Sequence, residues 1–162
     1  KQALNDKIAA GKASKSMVLP EPTDIVGIDI TPVKEYLKAK QKNGKDLCAE
    51  DVFIATFTWL KGLNCDRLVN VQLIEQYAMS VSRWIQCEEA ITQFGFLAKK
   101  PTGTVTSSPY VTMAREYMKQ ANAAWFQIYQ IVKENCSVDF SGPSPQDDAM
   151  ERLLRAREAH RY

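Results

Sequence analysis

The chain has 162 residues, 45% hydrophobic and 25% charged, with a formal net charge of +2; this is one domain's worth of core, and the total charge alone argues for no nucleic-acid partner. No run reaches the roughly 18–20 apolar residues that cross a bilayer, which excludes an integral membrane chain. Four cysteines without CxxC spacing and one histidine, His160, exclude a Cys/His zinc site, so neither metal nor cofactor is expected.

Residues 1–30 read as a flexible basic arm. Lys1, Lys7, Lys12 and Lys15 face only Asp6 within residues 1–15, and Pro20-Glu21-Pro22 resists any regular element. Gly11-Lys12-Ala13-Ser14 lacks the upstream glycine and the GK[ST] triplet of a phosphate-binding loop. Residues 31–62 read as a small helical region that contacts DNA. Thr31-Pro32 predicts a helix over 33–42 stopped by Asn43-Gly44, and a second helix is predicted over 49–61, with Glu50 and Asp51 in its first turn. The pair resembles a helix–turn–helix in length.

Residues 63–135 read as a long helical hairpin for oligomerisation. Helices are predicted over 66–94 and 109–135, each far longer than the average of about 11–12 residues, with apolar positions recurring every three or four residues. Ile74, Val81, Trp84, Trp125 and Ile128 on these stripes are the predicted self-association contacts, because stripes of about 40 Å exceed what the short helices can cover. The connector mixes Pro101, Gly103, Val105 and threonines, which predicts a short β-hairpin around Gly103. Residues 136–162 read as a loop and a final helix over 146–159, acidic at its start and basic later. The fold class is therefore all-α: short N-terminal helices, a long antiparallel helical hairpin and a short C-terminal helix.

Little here supports catalysis. His160 lies in the tail, so a Ser–His–Asp or Cys–His arrangement has no base, and Glu88-Glu89 point about 100° apart on their helix. Basic clusters are the stronger signal. Residues 31–46 hold Lys34, Lys38, Lys40, Lys42 and Lys45 against Glu35 and Asp46, and on a helix Lys34, Lys38 and Lys42 form one row suited to phosphates. Lys99-Lys100 form a second candidate. The Asn135-Cys136-Ser137 triplet matches a glycosylation sequon and reads as unused, and sparse thiols suit a reducing compartment.

The order of features resembles the small subunit of phage terminase. The residues that carry the resemblance are LIEQYAMSVSRWIQCEEAITQFGF, the connector KKPTGTVTSSPY, the helix VTMAREYMKQANAAWFQIYQIV and the terminal DDAMERLL. The lead-in PEPTDIVGIDITPVKEYLK also fits, whereas Asn135-Cys136-Ser137-Val138 departs from the family's Leu-Gly-Leu and proline. The resemblance implies a non-enzymatic packaging factor, in the cytoplasm of a bacterial host carrying a phage or prophage. It implies a homo-oligomeric ring, recognition of double-stranded DNA, and presentation of that DNA to the terminase large subunit, which holds the ATPase and nuclease. The alternatives from other classes are a dimeric helix-turn-helix-like DNA-binding regulator and a helical protein-binding scaffold.

Overall fold

The computed structural model describes residues 31–136 and 142–158. The predicted arm 1–30 and the end of the tail, including His160, lie outside them. The chain is mostly helical, with a small two-stranded sheet. A single 3-10 turn, Glu35–Lys38, precedes α1 (Ala49–Gly62) and α2 (Val71–Phe94). Strands β1 (Leu97–Lys99) and β2 (Val105–Ser107) follow, then α3 (Pro109–Asn135) and α4 (Pro145–Glu158).

Local chemistry explains the ends. Asn70 caps α2 by accepting from the Gln72 N–H at 2.9 Å, and Gly95 ends that helix at φ 86°, a conformation costly for any residue with a Cβ. Proline opens α3 just after Ser108, as the sequence predicts. Ser144 caps α4: its N–H and hydroxyl both donate to Asp147 Oδ2, at 2.8 and 2.9 Å.

The central element is α2, which packs against α1, α3 and α4. Phe94 at its C-terminal end stacks on Tyr110 at the start of α3, with ring centroids 5.9 Å apart. Nearer its N-terminal end, Tyr77 meets Trp125, late in α3, at 5.3 Å. Trp125 also contacts Trp59 of α1 at 5.4 Å, so one half-buried indole joins three helices. Leu37, Phe53, Leu60, Ile74, Tyr77, Val81, Ile128 and Val132 are among the fully buried side chains of this core. The docking of α4 is polar as well as apolar. Tyr77 Oη donates to Gln146 at 2.7 Å, and Arg157 forms two bonds to Glu88, at 3.0 and 3.1 Å.

The structure corrects one predicted element. Residues 33–42 are not a helix: Lys38 ends the 3-10 turn, Ala39 is extended, and Lys40 bridges Asp46 in antiparallel fashion. Asn43-Gly44 does more than stop a helix. Gly44 takes φ 81°, Asn43 Oδ1 accepts from the Lys45 N–H at 3.1 Å, and the Gln41 N–H donates to the Lys45 carbonyl at 2.8 Å. These are hairpin-turn bonds, and they draw residues 39–47 into a tight reversal. The two-helix unit compared with a helix–turn–helix is consequently absent from this region.

Candidate nucleic-acid interface

The lysines predicted to contact DNA fall into two environments. Lys34 is held by Glu75 of α2. Its Nζ lies 3.0 Å from Oε1 and 3.1 Å from Oε2, and Tyr36 Oη donates to the same Oε2 at 2.6 Å. The Glu75 side chain is only 6% exposed, so these two donors satisfy a carboxylate that burial would otherwise penalise. Burial and the adjacent carboxylate push the Tyr36 phenol up to about 12, keeping it a donor at neutral pH. Lys34 thus anchors the 3-10 turn on α2.

Lys38, Lys42 and Lys45 are exposed. Lys38 makes only a 3.5 Å contact with exposed Glu35, which solvent screens to little effect. Lys42 lines a recess of about 450 Å³ shared with Gln86, Glu89, Phe94 and Tyr110. That recess seats the 39–47 reversal against the C-terminal end of α2, the end from which the β1–β2 hairpin leaves. The structure therefore brings Lys42 and Lys45 to the same end as Lys99 and Lys100. It does not make a row of Lys34, Lys38 and Lys42, because no helix spans them. Residues 90–115 hold Lys99, Lys100 and Arg115 and no carboxylate at all.

The residues predicted for self-association lie elsewhere. Ile74, Val81 and Ile128 are fully buried within the chain, and Trp84 is nearly so, with its Nε1 donating to Glu88 at 3.2 Å. Trp125 is half-buried in its aromatic cluster. These side chains already cover one another inside a single copy. Exposed apolar surface sits instead on Phe126 of α3 and on Phe94, Phe96, Leu97 and Val105 around the sheet. Sequence periodicity marks a buried stripe without saying which copy covers it, so it could not make this distinction.

No group of His, Cys, Asp and Glu that could hold a metal occurs among the described residues. Cys48 is half-buried, and Cys65, Cys87 and Cys136 are buried. Burial, then the neighbouring Cys136, push the Cys65 thiol up to about 12. Among the described residues no helix is long and apolar enough to cross a membrane.

Residues 49–126, from the first residue of α1 to Phe126 of α3, match the model of a family described as phage terminase, small subunit. Across that stretch, just under half of its length, the chain is similar to the terminase small-subunit family. The match supports a role in phage DNA packaging in general. No curated protein and no solved structure matches the chain. The matched stretch takes in α1, α2 and the sheet, and stops before the end of α3, leaving the 3-10 turn, the Asn43-Gly44 reversal and α4 outside it.

Proposed function

We propose that this chain is the non-catalytic, self-associating DNA-recognition component of a phage packaging machine. It binds duplex DNA and presents it to the large subunit in the cytoplasm of the bacterial host. The single observation that carries the reading is the family match over 49–126. The exposed lysines around the Asn43-Gly44 reversal support it, because among the described residues Lys38 has only the 3.5 Å contact to exposed Glu35 and Lys42 and Lys45 stand in solvent. Lys38, Lys42 and Lys45, with the basic residues 1–15, form the duplex-contacting surface, and Lys99-Lys100 are its second candidate.

Self-association uses the outer side of a helical hairpin formed by α2 and α3. Between Lys119 and Lys133, α3 carries no charged residue, yet Phe126 is 62% exposed there. A helix face without charges that presents a large aromatic side chain is what an interface between copies buries. Residues 31–62, 63–135 and 136–162 then serve as DNA-contacting, oligomerising and C-terminal docking parts. The deciding experiment measures native mass together with duplex binding by the purified chain. An oligomer that binds DNA supports the reading, and a monomer without DNA affinity refutes it.

A further inference from the structure

We infer that the β1–β2 hairpin is a docking site for residues 19–30 of a second copy of this chain, which add as a third strand along the open edge of β1. The inference rests on the self-association proposed above.

The hairpin's hydrogen bonds define the open edge. Lys100 N–H donates to Thr104 O at 2.9 Å, and Ser108 N–H donates to Phe96 O at 2.7 Å. Antiparallel ladders alternate bonded and non-bonded pairs, so in the register Leu97 to Ser107 and Lys99 to Val105 those pairs are the non-bonded ones. The N–H and C=O of Leu97 and Lys99 therefore point away from β2, and among the described residues the sheet has two strands. Its surroundings are apolar and exposed: Phe94 62%, Phe96 70%, Leu97 67% and Val105 58%. Leu97, Lys99 and Val105 share one face of the pleat. A two-stranded hairpin with an uncovered apolar face is marginal in water, and a third strand is the usual remedy.

The occupant is selected by charge and pattern. The tip offers Lys99, Lys100 and Arg115 and no carboxylate between residues 90 and 115. Residues 17–30 are the complement, with Glu21, Asp24 and Asp29 and no Lys or Arg. Within them Val26, Ile28 and Ile30 alternate with Gly27 and Asp29, the period-2, β-branched pattern of a half-buried strand. Added in the plane of the sheet, Val26, Ile28 and Ile30 would extend the face of Leu97, which puts Asp24 on the side of Lys99 and Glu21 and Asp29 on the side of Lys100.

Reach decides which copy supplies the strand. Lys34 is tied to Glu75, and Phe94 lies nineteen residues further along α2, about 28 Å at about 1.5 Å per residue. Six residues separate Ile28 from Lys34, which span at most about 21 Å when fully extended. Ile30 of the same copy, four residues from Lys34, falls short of the tip even with the Lys34–Glu75 side chains counted, so a strand that sets Ile30 on β1 comes from another copy. A neighbouring copy is not so constrained.

The test mixes 15N-labelled and unlabelled full-length chain, allows exchange, and cross-links with a carbodiimide that joins amines directly to carboxylates. The expected products are mixed-isotope peptides joining Glu21, Asp24 or Asp29 to Lys99 or Lys100. The Ile28→Asp variant should lower their yield at least about five-fold. Lys99→Glu with Lys100→Glu should abolish the association through the tip, and adding Asp24→Lys with Asp29→Lys should restore it while circular dichroism stays unchanged. Mixed-isotope cross-links found only elsewhere would overturn this inference and leave self-association standing. Tip products confined to one isotope would overturn the assignment to a second copy. A monomer with no mixed product anywhere would overturn both.

Discussion

The Glu75 carboxylate shows how one residue fixes a whole segment. It is the only buried anchor joining the 3-10 turn to α2 through charged hydrogen bonds among the described residues, and it uses Lys34 and Tyr36 together. Changing Glu75 to Ala should cost about 1–3 kcal/mol, the range for a charge-assisted bond lost from a buried site. A fall of several degrees in the thermal midpoint by circular dichroism checks it. Lys34→Glu should be comparably harmful, because it would set two carboxylates together. The Ser144–Asp147 cap gives a pH prediction. The backbone N–H and then the hydroxyl of Ser144 hold the Asp147 carboxyl below its usual range. Its pKa is thus lower folded than unfolded, so the contribution is present above the unfolded value and lost as pH falls through the folded one. The start of α4 should fray below about pH 4, seen as faster amide exchange there, and Asp147→Asn should remove that pH dependence. Thiol reactivity follows burial too. Half-buried Cys48 should react with a disulfide reagent before Cys65 and Cys87, and all four should react in denaturant.

At the scale of elements, periodicity and punctuation did most of the work where both agree. Ser108-Pro109 opens α3 and the apolar stripe carries it to Asn135, so the predicted and observed bounds coincide. The predicted start of α2 falls five residues early, because Asn64 at φ 54° and the Cys65 N–H to Leu60 carbonyl bond still close α1, and a Cys65–Leu68 turn follows before Asn70 caps the helix. The 33–42 helix failed for a different reason. Asn43-Gly44 is compatible with a helix stop and with a hairpin turn, and the long-range seat against Gln86 and Phe94 decides for the turn. Glu75 was illegible in the sequence, since its partners lie 41 and 39 residues away. Core positions are more legible than their partners: Trp84 lies on the apolar stripe of the sequence and is buried beside Ala114 and Met118 of α3 and Arg157 of α4. Replacing Trp84 with Ala should cost about 3–5 kcal/mol, measured by denaturant unfolding. A loss below about 1 kcal/mol would show that the indole is not part of the monomer's core.

For the whole molecule, the proposed DNA surface makes a quantitative demand. Lys38, Lys42 and Lys45 are three exposed cations at one region, and each phosphate contact releases counterions, contributing about −0.9 to the slope of log affinity against log salt. One copy engaging all three should therefore show a slope of about −2.7, with weak affinity. An assembly repeats the surface, and the second and later contacts become intramolecular at high effective concentration. Binding should accordingly steepen in salt dependence and strengthen together as copies associate. Phe126→Asp, placed on the uncharged stretch of α3, should lower the native mass by light scattering and bring both DNA affinity and slope down with it. The triple change of Lys38, Lys42 and Lys45 to Glu should do the reverse, abolishing duplex binding while the mass stays the same, because none of the three packs in the core. Lys34 is left out of that set, since its loss would disturb Glu75 as well as any phosphate. Titrations at 50 and 200 mM salt on both variants separate the two effects. Unchanged affinity in the triple variant would move the duplex to the residues 1–15 or to Lys99-Lys100, and affinity indifferent to salt would remove phosphate neutralisation as the basis of binding.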